Sequence, residues 1–300
     1  MSYVWINGQL VDKSEAKISV FDHGFLYGDG VWEHFRAFNG KLFRPERAFF
    51  YLGLSASMHS MELPLSLSET IIAIDSTLQA NNRNDGYVRV IVTRGTGTLG
   101  PDPRKLHPQA IIIAEEYQPF PAAIYEHGLD VVVAPAAYCL HGLESLNRQI
   151  GRSQIVSAKR HALWNGCLDA ILWIKDNAVL GSTEGSLFLV VDGEIKCLLH
   201  WPSDVVWECV FDLAKSEGLS CVSFREGPGQ PEPKTNMMPL ELFTATVVEL
   251  VAANEVFLAG TSCGIIGIVQ VDGQPIGTGT EGPVTKRIRE AYRKLTRREA

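Results

Sequence analysis

Three arginines stand on strand-like runs where a sheet could aim them at a ligand. Arg36 follows Trp32 in VWEHFRA (31–37), and Arg89 and Arg94 lie in YVRVIVTRG (87–95). A guanidinium offers a planar fork of N–H donors that meets a carboxylate in two parallel bonds, so these residues suit capture of a small acid. An ion-paired structural arginine fits the same pattern. His23 sits just before the turn Gly28-Asp29-Gly30. Its imidazole could exchange a proton near neutral pH, or simply hydrogen-bond at the turn. Glu144, if buried, would have its pKa raised toward the range of a general acid or base. Arg148, four residues on, would instead make it half of an i,i+4 ion pair. The six cysteines are scattered with no paired spacing, so neither a zinc site nor a disulfide framework is expected.

The rest of the composition is ordinary. The chain has 300 residues, 46% hydrophobic and 20% charged, with a formal net charge of −7. Such a charge argues against a surface that tracks nucleic-acid phosphates. There is no run of 18 or more apolar residues and no basic, then apolar, leader at the N-terminus, so a cytoplasmic protein with no membrane segment is expected.

The elements that must hold these groups follow from periodicity. Asn7-Gly8 between apolar runs predicts a two-residue hairpin turn. A strand-like run then leads to Gly28-Asp29-Gly30. Pro45 opens a helix carrying Phe49, Leu52 and Ala56, and Leu67, Ile71, Ile74 and Leu78 form a second helical stripe. Strands are expected at 87–93, 110–114 and 129–134. These give a first α+β domain over 1–136 and a linker over 137–147. A second domain, 148–300, is expected to open with a helix over 148–164. Strands at 170–174 and 187–191 follow, with helices at 204–216, 240–251 and 284–295. The stretch 227–235 (GPGQPEPKT) reads as an exposed loop.

Five segments taken together resemble one family. FDHGFLYGDGVWEHFRAFNG (21–40), YVRVIVTRG (87–95), GLESLNR (142–148), EVFLAGTS (255–262) and DGQPIGTGTEGPVT (272–285) occur in the order found in class IV aminotransferases. That family includes branched-chain aminotransferases, D-amino-acid aminotransferases and aminodeoxychorismate lyases. The resemblance covers nearly the whole chain. It implies the fold type IV architecture, an α/β (α+β) chain with a small N-terminal α/β domain and a larger barrel-like C-terminal domain. It also implies pyridoxal phosphate as cofactor, and a homodimer. In that setting Arg94 resembles a substrate-carboxylate arginine, with Arg36, Arg89 and Trp32 bordering the site.

The cofactor contacts depart from the family pattern. The Schiff-base lysine precedes L-N-R or L-N-Y by two residues, and Glu144 stands there; an alignment on the next helix puts Arg148 there instead. Lys159, the nearest lysine, is expected on an exposed helix face. The arginine of H-x-x-R-L is Tyr51, and the position of the pyridine-nitrogen glutamate is Gly181, with Glu184 three residues on. Asp204 enters the helix start that would face the phosphate, leaving Thr261 and Ser262 of Gly260-Thr261-Ser262 as phosphate contacts. If a phosphate cofactor is bound, Tyr51, Glu184, Thr261 and Ser262 are its candidate ligands. The expectation is that no cofactor is held. The chain is then a divergent homologue that binds a carboxylate metabolite or a partner. Two alternatives stay open: an active pyridoxal-phosphate enzyme with non-standard residues, and a cofactor-independent enzyme using Glu144, Arg94 and His23.

Overall fold

The computed structural model describes residues 2–104, 106–116, 120–136, 148–174, 177–198, 204–222 and 245–299. The chain forms two compact units, one of Met1–Tyr117, Ser145–Arg152 and Thr296–Ala300, the other of Gln118–Glu144 and Ser153–Leu295.

The first unit runs β1 (Tyr3–Ile6), β2 (Gln9–Asp12), α1 (His23–Tyr27), β3 (Gly30–Phe38), β4 (Lys41–Leu42), α2 (Pro45–Met58), α3 (Leu67–Ala80), β5 (Gly86–Thr93) and β6 (Gln109–Glu115). Its strands make one antiparallel sheet in the order β2-β1-β6-β5-β3-β4. Asn7 and Gly8 both take positive φ, 46° and 95°, which closes the β1–β2 hairpin in the twist that strands prefer. Pro45 opens α2 with a φ already suited to a helix. Ser66 and Glu69 cap α3 reciprocally. Alternation then sorts the sheet. Val90 and Val92 point to Phe49 and Leu52 of α2, while Trp32, His34 and Arg89 share the opposite face by register.

The second unit runs α4 (Ile124–His127), β7 (Leu129–Val133), α5 (Ser153–Trp164), β8 (Asp169–Trp173), β9 (Val179–Ser182), β10 (Ser186–Val191), β11 (Glu194–Cys197), α6 (Val205–Ser216), β12 (Cys221–Val222), α7 (Val247–Ala252), β13 (Glu255–Gly260), β14 (Gly264–Val271), β15 (Gln274–Pro275) and α8 (Pro283–Glu299). Its sheet has the order β12-β11-β10-β13-β14-β7-β8-β9, with β15 pairing β14. Leu187, Leu189, Val256, Leu258, Ile266 and Ile268 alternate into a shared core. Each contributes roughly 1.5–3 kcal/mol by burial. On the other face Phe188 and Phe257 stack with ring centres 5.0 Å apart.

Four sequence expectations change. Residues 129–133, a first-domain strand by sequence, form β7, which pairs in parallel with β8 and β14 and so belongs to the second sheet. The helix expected from 148 starts at Ser153, because Arg148, Gln149 and Ile150 hydrogen-bond along β3 instead. The run before Gly28 is the short helix α1, capped by the Asp22 side chain and ended by Gly28 in the left-handed region. Of the helix expected over 240–251, the described part begins only at Val247, with Thr246 as the cap of α7 and Ala245 outside the helix, and residues 240–244 lie outside the described residues. The expected linker at 137–147 and the loop at 227–235 lie outside the described residues. Among the described residues no helix is long and apolar enough to cross a membrane, and no group of three His, Cys, Asp or Glu could hold a metal.

Candidate functional site

In the first unit the chemistry gathers around Trp32. The guanidinium carbons of Arg89, Arg148 and Arg152 lie 4.8, 4.9 and 4.9 Å from its ring centre. Its indole N–H donates to the Gln149 carbonyl at 3.0 Å. These contacts arise because β3 carries Trp32 and His34 on one face, β5 places Arg89 opposite His34, and residues 148–150 run along the free edge of β3. Arg89 Nε and Nη2 donate to His34 Nε2 at 3.2 and 3.1 Å, and the Tyr87 hydroxyl contacts the same nitrogen. Burial, then the charges of Arg148, Arg89 and Arg152, hold the His34 pKa well below the usual imidazole range. The ring is therefore neutral at pH 7 and accepts from Arg89. Beneath it Arg148 Nε meets the Glu33 carboxylate at 3.1 Å, with both side chains almost wholly buried. Arg89 itself is exposed, so the cluster reaches solvent through it.

In the second unit the polar groups collect at the ends of β8, β9, β10 and β13. Lys159 of α5 bonds Glu184 Oε1 at 2.9 Å, and Ser262 Oγ donates to Glu184 Oε2 at 3.2 Å. Asp169, fully buried, accepts from the Thr183 backbone N–H and hydroxyl. Burial outweighs the nearby Lys159 charge and pushes its pKa up to about 6. Asp204 caps α6 through Trp207 N at 2.8 Å and also accepts from Thr261 N at 2.9 Å. Gly185 and Gly260 let two chain segments pass closely here; a Cβ on Gly260 would stand 2.7 Å from the Glu184 carbonyl. Asp169 Oδ2, Ser186 Oγ and Thr261 Oγ1 are buried with no hydrogen-bond partner among the described residues.

Comparison with known proteins decides the family. Residues 30–228 match the model of the amino-transferase class IV family, about two thirds of the chain. The chain belongs to the class IV aminotransferases. It is 32% identical over 297 residues to a putative branched-chain-amino-acid aminotransferase of Methanocaldococcus jannaschii, covering 97% of this chain and 96% of that one. It is 28% identical to a D-alanine aminotransferase of Staphylococcus haemolyticus, covering 98% of each. A solved branched-chain amino acid aminotransferase from T.th., complexed with N-(5'-phosphopyridoxyl)-L-glutamate, superposes with a TM-score of 0.83 at 25% identity, covering 100% of this chain and 95% of that one. The same enzyme is also known with pyridoxamine 5'-phosphate. The fold is thus the two-domain α+β architecture of the fold type IV aminotransferases.

Within this aminotransferase fold the sequence-picked residues meet different fates. Trp32 and Arg89 come together, and Arg36 lies two residues beyond His34 on the same strand face, its guanidinium 5.5 Å from the Phe38 ring. Arg94 is engaged within the chain. Its Nε and Nη2 grip both oxygens of Asp29 at 2.9 and 3.0 Å, while Nη1 and Nη2 donate to the Ser60 and His59 carbonyls. His23 is buried, its Nε2 3.1 Å from the Thr98 carbonyl. Tyr51 is buried on α2 beside Phe50 and Arg47. Lys159, expected on an exposed face, is half-buried and ion-paired, because α5 turns it toward Glu184 and over the Phe120 ring. Thr261, expected as a phosphate contact, gives its N–H to Asp204. Glu144 lies outside the described residues.

His34, Arg152, Glu33 and Asp169 were missed from sequence. The two-residue alternation Trp32, His34, Arg36 was the available signal for His34. Nothing local pointed to Arg152 or to the burial of Asp169.

Proposed function

We propose that this chain keeps the class IV aminotransferase fold without the family's pyridoxal-phosphate chemistry. On this reading it is a cytoplasmic, homodimeric protein that binds a small carboxylate. The observation that carries the reading is the Lys159–Glu184 bond. When bound, pyridoxal phosphate supplies an electron sink for carbanion chemistry and requires a lysine amine and an acid at its pyridine nitrogen. Here the candidate amine and the candidate acid are 2.9 Å apart and neutralise each other. Asp204 adds a carboxylate at the helix start where a phosphate would be favoured. Among the described residues, Lys159, Glu184 and Asp204 as paired here do not fit the cofactor.

The Trp32 cluster supports the carboxylate part. Arg89 is exposed and cationic, and its described partners are a neutral imidazole and an indole, neither of which cancels its charge. A working aminotransferase is the second reading, favoured by the 32% identity to a putative enzyme across nearly the whole chain. Its lysine would then be Lys159, released from Glu184, or one of Lys105, Lys175 and Lys234, which lie outside the described residues.

Calorimetric titration of the cofactor-free protein with short mono- and dicarboxylates tests the binding reading. Saturable binding is expected, weakened about tenfold, or roughly 1.4 kcal/mol, in Arg89→Gln. Arg104→Gln, which removes a distant exposed arginine paired with Asp102, should leave it unchanged. No binding without cofactor, or equal losses in both variants, would refute the carboxylate assignment.

A further inference from the structure

A cleft of about 390 Å³ on the second unit is lined by side chains that neither cluster above uses. Its volume lies in the range of small-molecule sites. Glu126 and His127 come from the end of α4, Thr280 and Glu281 from the turn before α8, and Lys286 and Arg289 from the first turns of α8. No apolar side chain is among them, so charge and hydrogen bonds would have to hold whatever enters.

Arg289 is the buried member of the set. Its side chain is 8% exposed and that of Glu281 is 9% exposed. Arg289 Nε donates to Glu281 Oε1 at 2.8 Å and Nη2 donates to Oε2 at 2.5 Å, which fixes the guanidinium by one edge. Its Nη1 makes no hydrogen bond among the described residues. Hydrogen bonding to Glu281, against the cost of burial, and then the charges of Glu281, Glu290 and Glu126 hold the Arg289 pKa above its ordinary value, so the group stays a cation. Lys286 and Glu126 are exposed, and neither has an ion-pair partner among the described residues. The N-terminus of α8 is already occupied, since Glu255 accepts from Val284 N and Thr285 N at 3.0 and 2.8 Å.

The charges of this lining decide the class of ligand. Two carboxylates face one ammonium and one guanidinium, so the lining charges balance. A bare anion entering the cleft meets Glu126 and Glu281, and a bare cation meets Lys286 and Arg289. A small molecule that carries both charges can match each to its opposite. We infer that the cleft binds a small zwitterion of the free amino-acid class. Its carboxylate is held by the Lys286 ammonium and Arg289 Nη1, and its ammonium by Glu126. The His127 ring and the Thr280 hydroxyl supply hydrogen bonds to a polar side chain. The site belongs to the second unit alone. It rests neither on the cofactor-free reading nor on carboxylate binding at Arg89.

Equilibrium dialysis of the full chain against isotope-labelled L-serine tests this. N-acetyl-L-serine, which lacks the ammonium, and L-serinamide, which lacks the carboxylate, serve as one-charge competitors. Saturable binding of L-serine is expected, with each competitor weaker by about fivefold, the scale of one partly exposed ion pair. Lys286→Met and Glu126→Gln should each weaken L-serine by a similar factor. Both residues are exposed, so neither variant breaks a buried pair. Arg289 is kept, because its loss would strand the buried Glu281 carboxylate. Three results would overturn the inference: no saturable binding, a competitor that binds as tightly as L-serine, or L-serine binding that Lys286→Met and Glu126→Gln both leave intact. If Arg89→Gln abolishes the binding while Lys286→Met does not, the ligand sits at the Trp32 cluster and the cleft assignment also fails.

Discussion

Arg148→Met is expected to destabilise the first unit by about 3–5 kcal/mol, the usual cost of leaving one partner of a buried ion pair alone. Arg148 and Glu33 are 8% and 1% exposed, so the variant leaves the carboxylate buried without this guanidinium. The Glu33 side chain also accepts from the His34 N–H at 2.7 Å, so its collapse would disturb the residue that holds Arg89. The double variant Glu33→Gln/Arg148→Met should recover a good part of the loss, because the stranded charge is gone. Urea unfolding of the three proteins measures this. A loss below about 1 kcal/mol in Arg148→Met would mean that Glu33 stays solvated.

Asp169→Asn is expected to act in the opposite direction. Asp169 has its pKa pushed up from 3.8 to about 6 by burial, with 0% exposure. Below about pH 4 the carboxyl is protonated in both folded and unfolded chains. Between about 4 and 6 the folded chain keeps a proton that the unfolded chain has released, so stability falls as pH rises through this window. Above about 6 both are ionised and the full cost of burying the charge is felt, on the order of 3 kcal/mol for a shift of this size. Asn keeps an oxygen to accept from Thr183 and carries no charge. The variant should therefore lose this component of the pH dependence and be more stable than wild type at pH 7. Thermal unfolding of both proteins from pH 4 to pH 8 checks it. Parallel curves would show that Asp169 titrates normally.

Much of the scaffold was readable because its signals are local. Asn7-Gly8 fixed a hairpin by backbone conformation alone, Pro45 marked a helix start, and the stripe of Leu67, Ile71, Ile74 and Leu78 needed only its own spacing. What failed was long-range pairing. A β-branched run such as 129–133 announces a strand but not its neighbours, and parallel partners are the least local of all. Residues 148–150 join the edge of β3 through backbone bonds that leave no side-chain pattern, so they read as the start of the following helix.

The site was legible by residue type and not by partner. Arg94 on its strand signals that a guanidinium will meet a carboxylate, and it does, but the carboxylate is Asp29 of the same chain. Glu184 reads in the sequence as a replacement acid, and it serves Lys159. Asp204 reads as a helix cap, which it is, while its second bond, to Thr261, joins residues no local pattern connects. Arg94 and Glu184 each close on an opposite charge of the same chain, and Asp204 on two backbone N–H groups, pairings that local sequence cannot reveal.

An absorbance spectrum of the purified wild-type protein with pyridoxal phosphate, taken before and after borohydride reduction and followed by peptide mass mapping, decides whether the cofactor chemistry is gone. No band that borohydride removes and no pyridoxyl label on any lysine is the predicted result. A reducible band with a label on Lys159, or on Lys105, Lys175 or Lys234, would contradict it and make the chain a working member of its family.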